Sequence, residues 1–280
     1  MKFLLKDFIT LREGLFIAPD KKEIDYTDKS ENYLLEILRK SVDITSNSKE
    51  LEQYIKDWPS RYHLSIKRAN LFRGLDFLNF CKKILELGSG CGAITRWLGE
   101  NFEEVHAIEG NLFRAIVARE RCRDLKNVKI FCANIQDICF KKEYDLVTLI
   151  GVLEYAPTFY KNCKSAEDAC LSMLKGAFSA VKSDGFLILA IENKLGLKYW
   201  SGCREDHTGK FFDSVQDYPS KNTPVTFSKK ELTTLLKEAG FKFIEYYYPF
   251  PDYKLPNVIV RDLRNFERYY IFQNFLNLLQ

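Results

Sequence analysis

A chain of 280 residues has room for one large α/β domain or two small ones. Its 46% hydrophobic content, with 3 Trp, 15 Tyr and 22 Phe, excludes wholesale disorder, and 42 basic against 38 acidic residues leave a net charge of only +4. That balance gives no argument for a nucleic-acid or membrane partner, and eight cysteines without one C-x-x-C pair give none for a structural zinc site or a secreted disulfide framework. No metal is expected on these grounds. The stretch Met1–Thr10, interrupted by Lys2, Lys6 and Asp7, lacks the apolar centre of an export signal, and there is no unbroken run of about 18 apolar residues to span a bilayer. A reducing, cytoplasmic setting is the expectation.

In chain order, Phe8–Leu11 and Leu15–Ala18, parted by Arg12-Glu13-Gly14, predict a short β-hairpin. From Ser30 the apolar Leu34, Ile37 and Leu38, then Leu51, Tyr54 and Ile55 after a polar break, predict two amphipathic helices ending at Trp58-Pro59. Residues 1–80 are expected to be an N-terminal extension that caps a site, 81–260 the core, and 261–280 a C-terminal helix. Within the core, strands predicted at Ile84–Leu87, Val105–Ile108, Val128–Cys132, Leu146–Ile150 and Phe186–Ile191 alternate with helices at Ala93–Glu100, Leu112–Cys122 and Ala166–Val181. Crossover helices between strands imply a parallel sheet covered on both faces. Farther on, Ser228 predicts the cap of a helix that runs to Ala239 and stops at Gly240. Phe241–Tyr248 predicts an aromatic strand, and Val258–Val260 is expected to pair back on it as an antiparallel edge.

The most informative segment is Ile84-Leu85-Glu86-Leu87-Gly88-Ser89-Gly90-Cys91-Gly92-Ala93. A strand that feeds a G-x-G-x-G turn and then a helix lets backbone approach a ligand where a Cβ would intrude. The third glycine falls one residue too early for the dinucleotide fingerprint, and no G-x-x-x-x-G-K-[ST] loop is present. Glu109, followed by Gly110, closes the next strand 19 residues beyond Gly90, where one carboxylate accepts from two adjacent ribose hydroxyls. Asn134-Ile135 follows a third strand and offers an amide side chain and a backbone N–H to an adenine edge. A fourth strand ends at Gly151, with Glu154 and Tyr155 in its exit loop.

In this combination the chain resembles class I S-adenosylmethionine-dependent methyltransferases over roughly Lys83–Val260. The resemblance implies a Rossmann-like α/β fold with a seven-stranded sheet, one strand antiparallel, and S-adenosylmethionine as cofactor, leaving as S-adenosylhomocysteine. It places Glu86, Gly88, Ser89, Gly90, Gly92, Glu109, Gly110, Asn134, Ile135 and Gly151 around that cofactor. Asn134 stands where many members carry an Asp. The stretches Asp57–Ser65, Ile191–Trp200, Glu205–Gly209 and Tyr248–Lys254 are similar to segments of bacterial methyltransferases of O-antigen and other surface-polysaccharide synthesis. That implies a sugar or glycan acceptor and association with glycosyltransferase machinery or with a second copy.

Displacement at a sulfonium methyl requires an acceptor aligned about 3 Å away and, for a hydroxyl, a base. His207, with Asp206 beside it as the orienting acid, is the first candidate, and Glu154 the second. In relatives that methylate hydroxyls a histidine often follows the acid at the Glu154 position, where this chain has Tyr155. His63, Tyr155, Glu192 and Asn193 are candidates for substrate contact. The blander readings are a turn cap for His207, packing over the cofactor for His63, and backbone bonds for Glu154. Arg114, Arg119, Arg121, Arg123, Lys126 and Lys129 form a basic run best read as a solvated helix face, so no nucleic acid is expected. Methylation of RNA or of a small-molecule nitrogen, and a cofactor-binding subunit without turnover, stand as alternatives.

Overall fold

A computed structural model describes residues 2–20, 26–219 and 224–262. In chain order its strands are β1 (Ile9–Arg12), β2 (Leu15–Ile17), β3 (Lys83–Leu87), β4 (Glu104–Glu109), β5 (Val128–Cys132), β6 (Tyr144–Ile150), β7 (Val181–Ala190), β8 (Tyr247–Phe250) and β9 (Val258–Arg261). Its helices are α1 (Glu31–Lys40), α2 (Lys49–Glu52), α3 (Trp58–Leu64), α4 (Ala93–Asn101), α5 (Leu112–Arg121), α6 (Ala156–Phe159), α7 (Ala166–Ala180), α8 (Leu197–Trp200) and α9 (Lys229–Ala239). Seven strands form one sheet in the order β1-β2-β5-β4-β3-β6-β7, all parallel except β1. This is a Rossmann-like seven-stranded sheet with one antiparallel strand among the described residues, as the sequence predicts.

The antiparallel strand is not where the sequence predicts it. The N-terminal hairpin supplies it, because β2 lies parallel along the outer edge of β5, where the Ile130 N–H donates to the Gly14 carbonyl over 2.8 Å. Among the described residues, β8 and β9 pair only with each other, and residues 241–246 form no strand. Pro249 within β8 has no N–H for a ladder, which suits a two-stranded ribbon better than a shared sheet edge. The predicted end of the second leader helix is also revised. Trp58-Pro59 opens α3, capped by Asp57, whose side chain accepts from the Ser60 N–H. Proline is as much at home in a first turn as beyond a last one. The C-terminal helix expected over 261–280 lies, from residue 263 on, outside the described residues.

Alternation of buried strands and amphipathic helices explains the layers. One face of the sheet packs against α7 and α9 through Met173, Leu174, Ala177, Leu232 and Leu236, and the other against α4 and α5 through Ile94, Leu98, Ala115 and Ala118. The capping box at Ser228 and the left-handed Gly240 bound α9 as the sequence predicts. A third cluster, Leu34, Ile37, Leu38, Leu51 and Leu64, closes on Val117 of α5 and on Cys91 in the glycine turn. The leader is thereby seated directly on the glycine turn.

Part of the basic run adds to this attachment, and for its three helical arginines the solvated-face reading is corrected, while Arg123 and Lys126 are exposed as expected. Arg114, Arg119 and Arg121 are buried. Arg119 donates to the carbonyls of Val128, Cys122 and Leu125, Arg121 to that of Thr45, and Arg123 to those of Leu38 and Ser41. A guanidinium spreads its donors in a plane, so one side chain satisfies several helix-end carbonyls at once.

Candidate active site

The carboxyl ends of β3, β4, β5, β6 and β7 open on a cavity of about 620 Å³, within the range of small-molecule sites. Its floor is the turn between β3 and α4. The Gly88 and Ser89 N–H groups donate to the Ile108 carbonyl, which folds the turn back over β4. Gly88 has φ +85°, and a Cβ there would lie 2.4 Å from Val152 Cγ2. Gly92 serves a different purpose from the other two glycines. It does not line the cavity, and a Cβ on it would come within 2.7 Å of the Ala118 Cα, so its part is to let α4 and α5 approach.

Glu109 accepts the Gly90 N–H over 2.7 Å and the Asn111 N–H over 2.9 Å, which fixes its carboxylate at the rim of the turn. Burial raises its pKa against the pull of Arg114 and these amides. Glu86 accepts from the Thr95 hydroxyl at 2.6 Å, and burial pushes its pKa up to about 8, so it is protonated at neutral pH. Gly110, Asn134, Ile135 and Gly151 complete this wall.

Whether the residues present fit S-adenosylmethionine is decided by their unspent polar atoms. Among the described residues the buried Asn134 Oδ1 has no hydrogen-bond partner, as is true of the Ser89 hydroxyl, and both residues line the cavity. Buried polar atoms of this kind are rare unless a ligand completes them. An amide oxygen matches the exocyclic amine of adenine, and a carboxylate beside a glycine turn matches ribose hydroxyls. The fit is good.

The leader roofs the cavity. His63 lies there, with its Nε2 2.9 Å from Asp28 Oδ2. Burial lowers the His63 pKa, so we take it as a neutral imidazole that donates to an ionised Asp28. Asp28 also lies 4.0 Å from Arg114, which stacks under Tyr26, and the Tyr26 hydroxyl reaches that of Tyr155 at 3.5 Å. Arg68, also buried, holds the Tyr62 hydroxyl at 2.8 Å and the Lys254 carbonyl at 3.2 Å.

Opposite the cofactor wall, three distant segments converge. Glu154 comes from the loop after β6, Glu192 from the end of β7, and His207 from the segment between α8 and α9. The His207 Nε2 lies 3.8 Å from Glu154 and 3.9 Å from Glu192. Its Nδ1 is 2.9 Å from Glu205 Oε1, and Glu205 also accepts the N–H groups of His207 and Thr208. The orienting acid is thus Glu205, and Asp206 instead binds Lys198 and Lys254. Sequence adjacency favours Asp206, but a tight loop folds the residue two positions back onto the ring. Burial disfavours the imidazolium, yet Glu154, Glu205 and Glu192 outweigh it and raise the His207 pKa to about 10. Burial raises that of Glu154. A histidine so placed carries its proton at neutral pH, so its expected part as free base is revised.

Tyr155 lines the cavity with its ring against His207, whereas Asn193 does not line it and spends its Oδ1 on the Leu195 N–H. Sequence reasoning missed Glu205, Arg68 and Lys254. The Tyr253 hydroxyl and the Lys254 ammonium both bond Glu192.

Residues 84–176 match the family model described as a methyltransferase domain, which spans a third of the chain. No curated protein matches. Among solved structures, an S-adenosylmethionine-dependent methyltransferase from Clostridium acetobutylicum is 15% identical with a TM-score of 0.48, over 68% of this chain and 83% of that one. One from Leishmania major is also 15% identical with a TM-score of 0.48, over 79% and 78%. One from Methanosarcina mazei is 17% identical with a TM-score of 0.46, over 63% and 88%. The matched segment and the turn, carboxylate and amide around the cavity define a methyltransferase domain of the class that takes S-adenosylmethionine. No described helix is long and apolar enough to cross a membrane.

Proposed function

We propose that the protein moves the methyl group of S-adenosylmethionine to a hydroxyl of a sugar or glycan, in a reducing compartment and in the setting of surface-polysaccharide synthesis. The observation that carries this reading is the second wall of the cavity, where Glu154, Glu192, Asp206 and Asp252 stand among Trp58, Tyr62, Tyr155 and Tyr253. Carboxylates accept from hydroxyls, and aromatic faces pack against the apolar face of a sugar ring. In this reading Glu109 holds the ribose, Asn134 the adenine amine, and the buried Arg68 guanidinium faces the methionyl carboxylate. Bound there, the cofactor would supply an electrophilic methyl group to the acceptor oxygen, its sulfur leaving as a thioether; Glu154 would take the hydroxyl proton, and the His207 imidazolium would keep the Glu154 carboxylate ionised until then. Ser89, Gly88 and Gly90 give the methionyl portion room, and His63 and Tyr155 close the space over the acceptor.

The test is transfer of isotopically labelled methyl from S-adenosylmethionine to a panel of nucleotide sugars and glycans. A base-stable methyl ether on one of them is expected. Label found only on RNA, with binding that collapses as salt rises, or only on an amine, contradicts the acceptor. Partnership with a glycosyltransferase or a second copy belongs to the same reading.

A further inference from the structure

We propose that Glu154, Glu192 and His207 form a binding site for a divalent metal ion at the acceptor end of the cavity. The inference rests on the methyltransferase reading for the use of the ion, but not for its binding. One donor atom from each of the three residues lies within 4.8 Å of the others. A triangle of that size has a centre close to the roughly 2.0 to 2.6 Å reach of nitrogen and oxygen ligands on such ions.

Two of the three ligands are held from behind so that a donor faces inward. The Glu205 carboxylate takes the Nδ1 of His207 and leaves Nε2 toward the centre, the arrangement that fixes tautomer and ring in metal sites, and the ion displaces the proton that Nε2 carries in the metal-free protein. Glu205 is 2% exposed and anchored by two backbone N–H groups, so it is a rigid support. Lys254 bonds Oε1 of Glu192 and leaves Oε2 toward His207. Glu154 supplies the independent sign of a missing partner. It is 1% exposed and lines the cavity, with Oε1 the oxygen nearer His207 and Oε2 without a hydrogen-bond partner among the described residues. An unsatisfied buried carboxylate oxygen is costly, and a cation removes the cost.

Charge points the same way. Glu154, Glu192, Glu205, Asp206 and Asp252 surround the spot, while the fixed cations beside them are Lys198 and Lys254. The scarcity of histidines and paired cysteines that argues against a structural zinc site has no bearing on a site assembled from distant carboxylates. One imidazole and two carboxylates with positions left open suit Mn²⁺, Fe²⁺ or Zn²⁺ better than Mg²⁺. Such an ion supplies Lewis acidity to an acceptor hydroxyl.

The experiment is titration of the full chain with Mn²⁺, followed by electron paramagnetic resonance, in the wild type and in Glu154→Gln, His207→Ala and Glu205→Gln. One tight Mn²⁺ per chain is expected. Glu154→Gln and His207→Ala should each weaken it more than tenfold, and the positioning variant Glu205→Gln roughly 10- to 100-fold. Circular dichroism identifies any variant that fails to fold, and Glu154→Gln is close to isosteric. Absence of bound Mn²⁺ in the wild type at millimolar concentration overturns the proposal, as does equal binding by wild type and Glu154→Gln. S-adenosylmethionine binding measured in chelator separates this failure from failure of the methyltransferase reading.

Discussion

The two walls of the cavity are built on different principles. The cofactor wall is made of backbone turns at the ends of neighbouring parallel strands, where Gly90 and Glu109 meet because β3 and β4 are paired in register. The acceptor wall is made of side chains from remote segments, with Glu154, Glu192, His207 and Lys254 brought together by loops, and Asp28 and His63 by the leader. The first wall therefore follows from the sheet alone. The second depends on every element that docks on it.

That contrast is broken or sharpened by substitutions that touch one wall and spare the other. The largest effect is expected from Glu154→Gln, which removes the proton acceptor and should lower kcat by roughly 10²- to 10⁴-fold, with affinity for S-adenosylmethionine nearly unchanged. Turnover assays paired with calorimetry read both quantities, and an equal loss in each would mean the walls are not separate. Next is Leu34→Ala in the leader. Leu34 is 1% exposed, and its truncation should cost about 2 to 5 kcal/mol in urea unfolding. Loss of roof geometry should raise KM for the acceptor as well.

Glu86 gives a pH signature of the cofactor wall. Its folded pKa of about 8 lies above the ordinary 4.5, so the stability tied to its protonated form is complete below about 4.5 and is lost as pH rises through 8. Unfolding free energies of Glu86→Gln, relative to wild type, should therefore improve from pH 4.5 to 8, and a flat difference would show that Glu86 is ionised in the fold. The smallest effect is expected at Asn134→Ala, where one hydrogen bond is worth about 0.5 to 1.5 kcal/mol, or roughly a 2- to 12-fold loss of cofactor affinity.

Legibility in the sequence follows the same division. The glycine turn, Glu109 and Asn134 are readable because their spacing reflects the repeat of strand and crossover helix, which local pattern encodes. The antiparallel edge is misplaced because the strand pattern of Val258–Val260 says that a strand exists, not which edge accepts it. The arginines of α5 follow the spacing of an exposed helix face, and only tertiary packing turns Arg119 and Arg121 into buried donors, the first to carbonyls of the core and the second to one of the docked leader. His207 is found from the sequence, but its partner is not. Whether Glu205 or Asp206 reaches the ring depends on the conformation of the loop, which residue order does not carry.

The central claim is that the turn from Gly88 to Gly92 and the carboxylate of Glu109 form a site for S-adenosylmethionine. Isothermal calorimetry of the wild type against Glu109→Ala tests it most directly. One equivalent of S-adenosylmethionine should bind to the wild type, and the variant, having lost hydrogen bonds from the ribose to a charged group, should bind about 10- to 100-fold more weakly. No heat of binding in the wild type, or equal affinity in the two proteins, would contradict the account.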